Sequence, residues 1–131
     1  APSGFAPNTE DDDYYQYLEL MHYAEGSAML PFLLLLYSSF LGEAAAPLSQ
    51  RIFSEIKNHL SFLSMRLGEN EFFFRNTFSG LDTMISFVLE AAQISDSLKP
   101  FPNLVAALER YQSRPAYQEA LRRGGEYNLG G

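Results

Sequence analysis

The chain contains no cysteine, which excludes a disulfide framework, a thiolate metal site and a cysteine nucleophile. That absence fits a reducing compartment, and the cytoplasm is the expected location. Basic residues are scarce: 9 Lys and Arg stand against 16 Asp and Glu, for a net charge of −7 and a pI near 4.7. Arg122-Arg123 is the only adjacent basic pair. A phosphate-binding surface needs clustered cations, so nucleic acid is not an expected partner. The most apolar stretch, Ala28 to Tyr37, falls short of the roughly 20 residues that span a bilayer. The opening APSGFAPNTEDDD has neither the basic region nor the apolar run of a secretory signal. Strand patterns and internal repeats are also missing. The only strand candidate, residues 69–78 with Phe72-Phe73-Phe74, reads as a connector that tucks aromatics under helices.

What is present suits one soluble globular domain: 131 residues, 47% hydrophobic and 19% charged. Residues 1–8, with two prolines and a glycine, read as a linker or tail. A helical domain is expected over 9–123, and 124–131 reads as a mobile tail. Thr9 is the expected cap of the first helix, with Asp12 three residues on. Tyr14, Tyr17, Leu18, Met21, Ala24 and Ala28 hold one helical stripe. The helix is expected to kink at Pro31 and end near Phe40–Gly42, with LPFLLLLY buried on all sides. Ile52, Ile56, Leu60, Leu63 and Leu67 mark a second, amphipathic helix that Gly68 stops. Further helices are expected from Ser79, from Pro102 and from Pro115. The fold class is an all-α, five-helix bundle.

Ser79 and Asp82 have the spacing of a capping box, with Asp in place of Glu or Gln. The helix they open is almost wholly apolar. Between Thr83 and Ala92 only Thr83, Ser86 and Glu90 are polar. A helix start that plunges into an interior cannot lean on water for its free N–H groups, so it must cap itself. Ser79 and Asp82 therefore read as structural.

The stretch FSGLD before this helix resembles the Phe-Thr-x-Ala-Asp capping box in the helical domain of glutathione transferases. YLELMHYAEGSAMLP resembles the first helix of that domain, with the His-Tyr-x-Glu-Gly-Ser run of fungal and bacterial members. PFPNLVAALERYQSRPAYQEA is similar to its ending, and the match runs from about Asp11 to Leu121. The sequence departs from the pattern at Gly80 and Leu81, and Thr83 weakens the hydrophobic staple.

The resemblance implies a half-enzyme. Such transferases place the glutathione-binding, thiolate-stabilising residue on a separate thioredoxin-like domain, which needs on the order of 80 residues. That domain is not expected in this chain, so no catalytic residue is assigned. The chain is expected to be the carboxy-terminal domain of a glutathione transferase and inactive alone. Glutathione enters as co-substrate, with no tightly bound cofactor, and a homodimer is implied. The resemblance places Leu30, Leu33 and Tyr37 in the wall of the pocket for a hydrophobic electrophile. By residue type alone, the plainer reading of all three is a place in the core. Glu25 and Ser27 fall where the family reaches the γ-glutamyl end of glutathione, often across the dimer, although Glu25 also suits a solvated surface. Gly26 fits a dimer seam. A separate domain is expected to expose the apolar face its partner domain covers, and to self-associate.

Two rivals have specific tests in the sequence. Glu19, His22 and Glu25 form one Glu-x-x-His with a further carboxylate, but the other histidine, His59, has Glu55 at four residues. A carboxylate-bridged di-metal bundle needs two such motifs, so no metal is expected. The alternative function is a non-catalytic interaction module, as found in translation factors and synthetase assemblies that carry the same helical domain.

Overall fold

The period-3.6 stripes become helices in a computed structural model that describes residues 4–125. α1 (Tyr14–Tyr23) and α2 (Leu30–Ser39) are joined by a π turn at Ala24–Ala28. After a 3₁₀ turn at Gly42–Ala45 come α3 (Ala46–Leu67), α4 (Gly80–Ile94), α5 (Pro102–Gln112) and α6 (Pro115–Gly124). Counting α1 and α2 as one interrupted rod gives five helical rods and no strand among the described residues. The bundle is the all-α architecture expected. Of the tail expected over 124–131, Gly124 is the last residue of α6, and residues 126–131 lie outside the described residues.

The α3 stripe of Ile52, Ile56, Leu60, Leu63 and Leu67 is wholly buried, as are Leu104, Ala107, Leu108 and Tyr111 of α5. They meet Leu81, Ile85, Val88 and Leu89 of α4, each at most 1% exposed. Gly68 ends α3 with φ 57°, a left-handed conformation that glycine adopts without a Cβ penalty. The 69–78 segment is a connector, with Phe74 buried and Phe72 and Phe73 packed against the core.

Several expectations need correction. Thr9 caps nothing: α1 begins at Tyr14, after Asp13, with no side-chain cap bond. The preceding turn closes on itself instead, as Asn8 N–H donates to the Asp11 carboxylate at 3.1 Å. The distortion of the first rod falls not at Pro31 but upstream of it. Met29 N–H reaches back five residues to the Ala24 carbonyl. This widened turn accommodates a proline that lacks an N–H and would crowd the Ser27 carbonyl. LPFLLLLY is not buried all round. Pro31 and Phe32 are buried, but Leu30, Leu34 and Tyr37 are 51%, 47% and 62% exposed. Nor is α4 enclosed on every side, since Thr83, Phe87 and Ile94 form an exposed edge.

Residues 4–8 touch the bundle. The Phe5 carbonyl accepts the Gly80 N–H at 2.9 Å, and the Phe5 ring lies 5.9 Å from that of Phe78. Gly80 has a physical reason. A Cβ there would stand 2.6 Å from the Tyr17 hydroxyl and 3.3 Å from the Phe5 ring.

Candidate functional site

The capping box is formed, and it anchors more than a helix end. Both of its reciprocal bonds are present, with Ser79 N–H donating to Asp82 Oδ2 at 2.9 Å. Asp82 Oδ1 also accepts the Phe73 N–H at 3.1 Å and the Tyr111 hydroxyl at 2.7 Å. The fully buried carboxylate thus ties the connector and α5 to the start of α4. Burial, and then the Asp82 charge, raise the Tyr111 hydroxyl far above its usual range, so it remains a donor. The arrangement is saturated and closed, which suits structure and not chemistry.

α2 presents the opposite case. Leu30, Leu33, Leu34 and Tyr37 recur at three- and four-residue steps and all face solvent. Their partners on the other side, Ala28, Pro31, Phe32 and Ser38, are buried. The helix is apolar on both faces, and the described residues cover one. A place in the core of the described residues is therefore excluded for Leu30, Leu33 and Tyr37, and none of them lines either of the two clefts between the helices described below.

Glu25 and Ser27 lie in the π turn, Glu25 exposed and Ser27 half-buried. Glu25 borders a small cleft of about 260 Å³ with Met29, Met84, Phe87 and Val88. A side chain added at Gly26 would meet nothing within 4 Å, so that surface is open.

A larger cleft of about 510 Å³ lies between α4 and α6. Phe5, Phe78, Phe87, Tyr117 and Leu121 give it apolar walls, and Asp82, Glu90 and Arg114 supply its charge. Glu90 is 6% exposed and accepts the Tyr117 hydroxyl at 2.5 Å. Sequence reasoning missed this pair. The available signal was Glu90 itself, the one charge between Thr83 and Ala92.

Two solved structures share this arrangement of helices. A glutathione S-transferase from Actinobacillus pleuropneumoniae superposes with a TM-score of 0.78 at 22% identity, over 92% of this chain and 55% of that one. The ternary complex of BphK, a bacterial glutathione S-transferase, gives 0.76 at 19% identity, over 93% and 60%. The fold is that of glutathione transferase structures. This chain spans little more than half the length of either. No protein-family profile matches it, and no curated protein matches it by sequence.

Against that fold, the capping node supports the architecture, while the α2 face and the π turn supply the sequence-predicted site residues. Leu30, Leu33 and Tyr37 share one face; Glu25 and Ser27 precede them on the same rod. Among the described residues, no helix is long and apolar enough to cross a membrane.

Proposed function

We propose that this chain is the carboxy-terminal, helical domain of a glutathione transferase that conjugates glutathione to hydrophobic electrophiles. The observation that carries the reading is the uncovered apolar stripe of α2, set on a transferase-like fold. Leu30, Leu33 and Tyr37 then form one wall of the electrophile pocket, and a thioredoxin-like domain forms the other. The wall acts by holding the electrophile beside a thiolate carried elsewhere, a proximity effect. Glu25 and Ser27 contact the γ-glutamyl end of glutathione, in a homodimer from the partner subunit, where the ammonium group favours a carboxylate.

The test is glutathione conjugation to a chlorodinitrobenzene, measured on this chain and on the complete gene product. Turnover is expected only from the latter. In that protein Glu25→Gln is expected to raise KM for glutathione by about tenfold, the worth of one charge-assisted hydrogen bond, with kcat little changed. A complete product without turnover would favour the non-catalytic interaction module. An unchanged KM would remove Glu25 from the site while leaving the domain assignment intact.

A further inference from the structure

We infer that Phe5 is a positioning residue for the proposed reaction: with Gly80 it forms a latch that pins the incoming chain to the start of α4. The latch is read from contacts within this chain, and its effect on catalysis rests on the two-domain reading above. The starting point is an N–H group. The capping box serves the Ser79 and Asp82 N–H groups and leaves that of Gly80 over. Gly80 is buried, where an N–H without an acceptor is costly. The acceptor it finds is the Phe5 carbonyl, at 2.9 Å. The same carbonyl lies 3.4 Å from the Tyr17 hydroxyl. Burial and then the Asp82 charge raise that hydroxyl above its ordinary value, so it stays a donor at neutral pH. The segment before α1 thereby completes the polar bonding of the α4 start.

The glycine is the second observation. Its φ is not left-handed, so no turn demands it, and glycine is otherwise unfavourable in a helix. Close approach demands it, because a Cβ there would collide with the Tyr17 hydroxyl and crowd the Phe5 ring. Gly80 is also a position at which the sequence departs from the capping pattern it resembles, and the latch accounts for that departure. The contact continues through the rings. Phe5 lies 5.9 Å from Phe78, and Phe78 lies 6.1 Å from Tyr111, whose hydroxyl donates to Asp82. A further fastening follows where Arg75 donates to Asp11 and Asp13. The incoming chain is thus held on α4 by Phe5 and on the 69–78 connector by the two carboxylates.

In the two-domain reading this segment leads back to the thioredoxin-like domain that carries the thiolate. A free linker would let that domain swing, whereas a segment pinned at Phe5 sets it at one angle to the α2 wall. Conjugation needs thiolate and electrophile at near-attack distance, and a displacement of about 1 Å can cost on the order of a hundredfold in rate. Phe5 is assigned no contact with either reactant. It acts through the angle at which the two halves of the pocket meet.

The test has two arms. On the 131-residue chain, amide hydrogen exchange reads the latch. Phe5→Ala, at a position 44% exposed, is expected to quicken exchange at Gly80 about tenfold and leave Ile85 and Leu89 unchanged. An unchanged rate at Gly80, or an equal quickening along all of α4, would overturn the latch. On the complete gene product, turnover of a chlorodinitrobenzene is measured per glutathione site, with sites counted by calorimetric titration so that misfolded protein drops out. Phe5→Ala is expected to lower kcat per site about tenfold with the glutathione Kd unchanged, and Phe5→Leu to restore most of it. Gly80→Ala is expected to act in the same direction, and the double variant to lose no more than the worse single one, because both open one latch. An undiminished kcat per site, or losses that simply multiply, would overturn the positioning role. A complete product that binds glutathione yet turns nothing over before any substitution would sink the two-domain reading and the positioning role with it, while exchange at Gly80 still decides the latch.

Discussion

The start of α4 and the outer face of α2 both carry apolar side chains and end in opposite conditions. At the start of α4, Leu81 and Asp82 are each 0% exposed, and every buried side-chain polar atom has a partner. On α2, Leu30, Leu33, Leu34 and Tyr37 are 51%, 37%, 47% and 62% exposed. The first region spends its apolar surface inside the chain. The second retains it as a partly exposed stripe at helical spacing, the kind of surface that the proposed partner domain would cover. What separates the exposed leucines of α2 from the buried Leu81 is the presence of a packed neighbour.

The comparison is broken most severely at Asp82. Asp82→Ala leaves the Phe73 and Ser79 N–H groups and the Tyr111 hydroxyl without an acceptor. The expected cost is about 4 kcal/mol, from several unsatisfied buried donors and a cavity. Urea unfolding monitored by circular dichroism checks it. A loss below about 1 kcal/mol would show that the node is ornamental and that α4 is held by apolar packing alone.

A matched pair of leucines sharpens the contrast. Leu81→Ala is expected to cost about 3 kcal/mol, as for a fully buried leucine. Leu34→Ala is expected to cost less than about 0.5 kcal/mol, because its side chain is half exposed. Sedimentation should reverse the ranking: Leu34→Ala weakens self-association, whereas Leu81→Ala leaves it unchanged where folded. Equal costs in unfolding would mean that α2 is covered within this chain, and the case for an external partner would fall.

Much of this fold was legible from spacing. The α3 and α5 stripes are local patterns with period 3.6, and the Ser79–Asp82 box is a three-residue motif. What escaped was whatever depends on a distant neighbour. Periodicity reports that α2 is apolar all round but not which side finds a partner. The Glu90–Tyr117 bond joins residues 27 apart, and no local rule pairs them. Thr9 failed as a cap because the helix starts only at Tyr14, and the turn before it is held by the Asn8 N–H on Asp11 and by Arg75 on Asp11 and Asp13. The candidate site was less legible than the fold. Helical spacing puts Leu30, Leu33 and Tyr37 on one face, yet only the packing shows that this face is open.

Arg75 offers the smallest test, at a contact lying between the two extremes in burial. Its guanidinium donates to Asp13 Oδ2 at 2.7 Å and to Asp11 Oδ2 at 2.9 Å, fastening the connector to the start of α1. Hydrogen bonds from Arg75 hold both carboxyls below their ordinary value of 3.8. A depressed folded-state value stabilises above the unfolded one and is lost as pH falls through the folded one. The contribution is therefore complete at neutral pH and fades below about pH 4. Because these groups are at the surface, the effect is small and screened by salt. Urea midpoints of Arg75→Met should lie slightly below those of the unchanged chain at pH 7, with the gap narrowing at pH 3 and in 1 M salt. It should not close completely, since Arg75 also lies 4.9 Å from the Phe74 ring centroid and keeps its charge in acid. A gap that stays constant from pH 7 to pH 3 would assign the whole effect to that ring contact and leave the two carboxylates energetically idle.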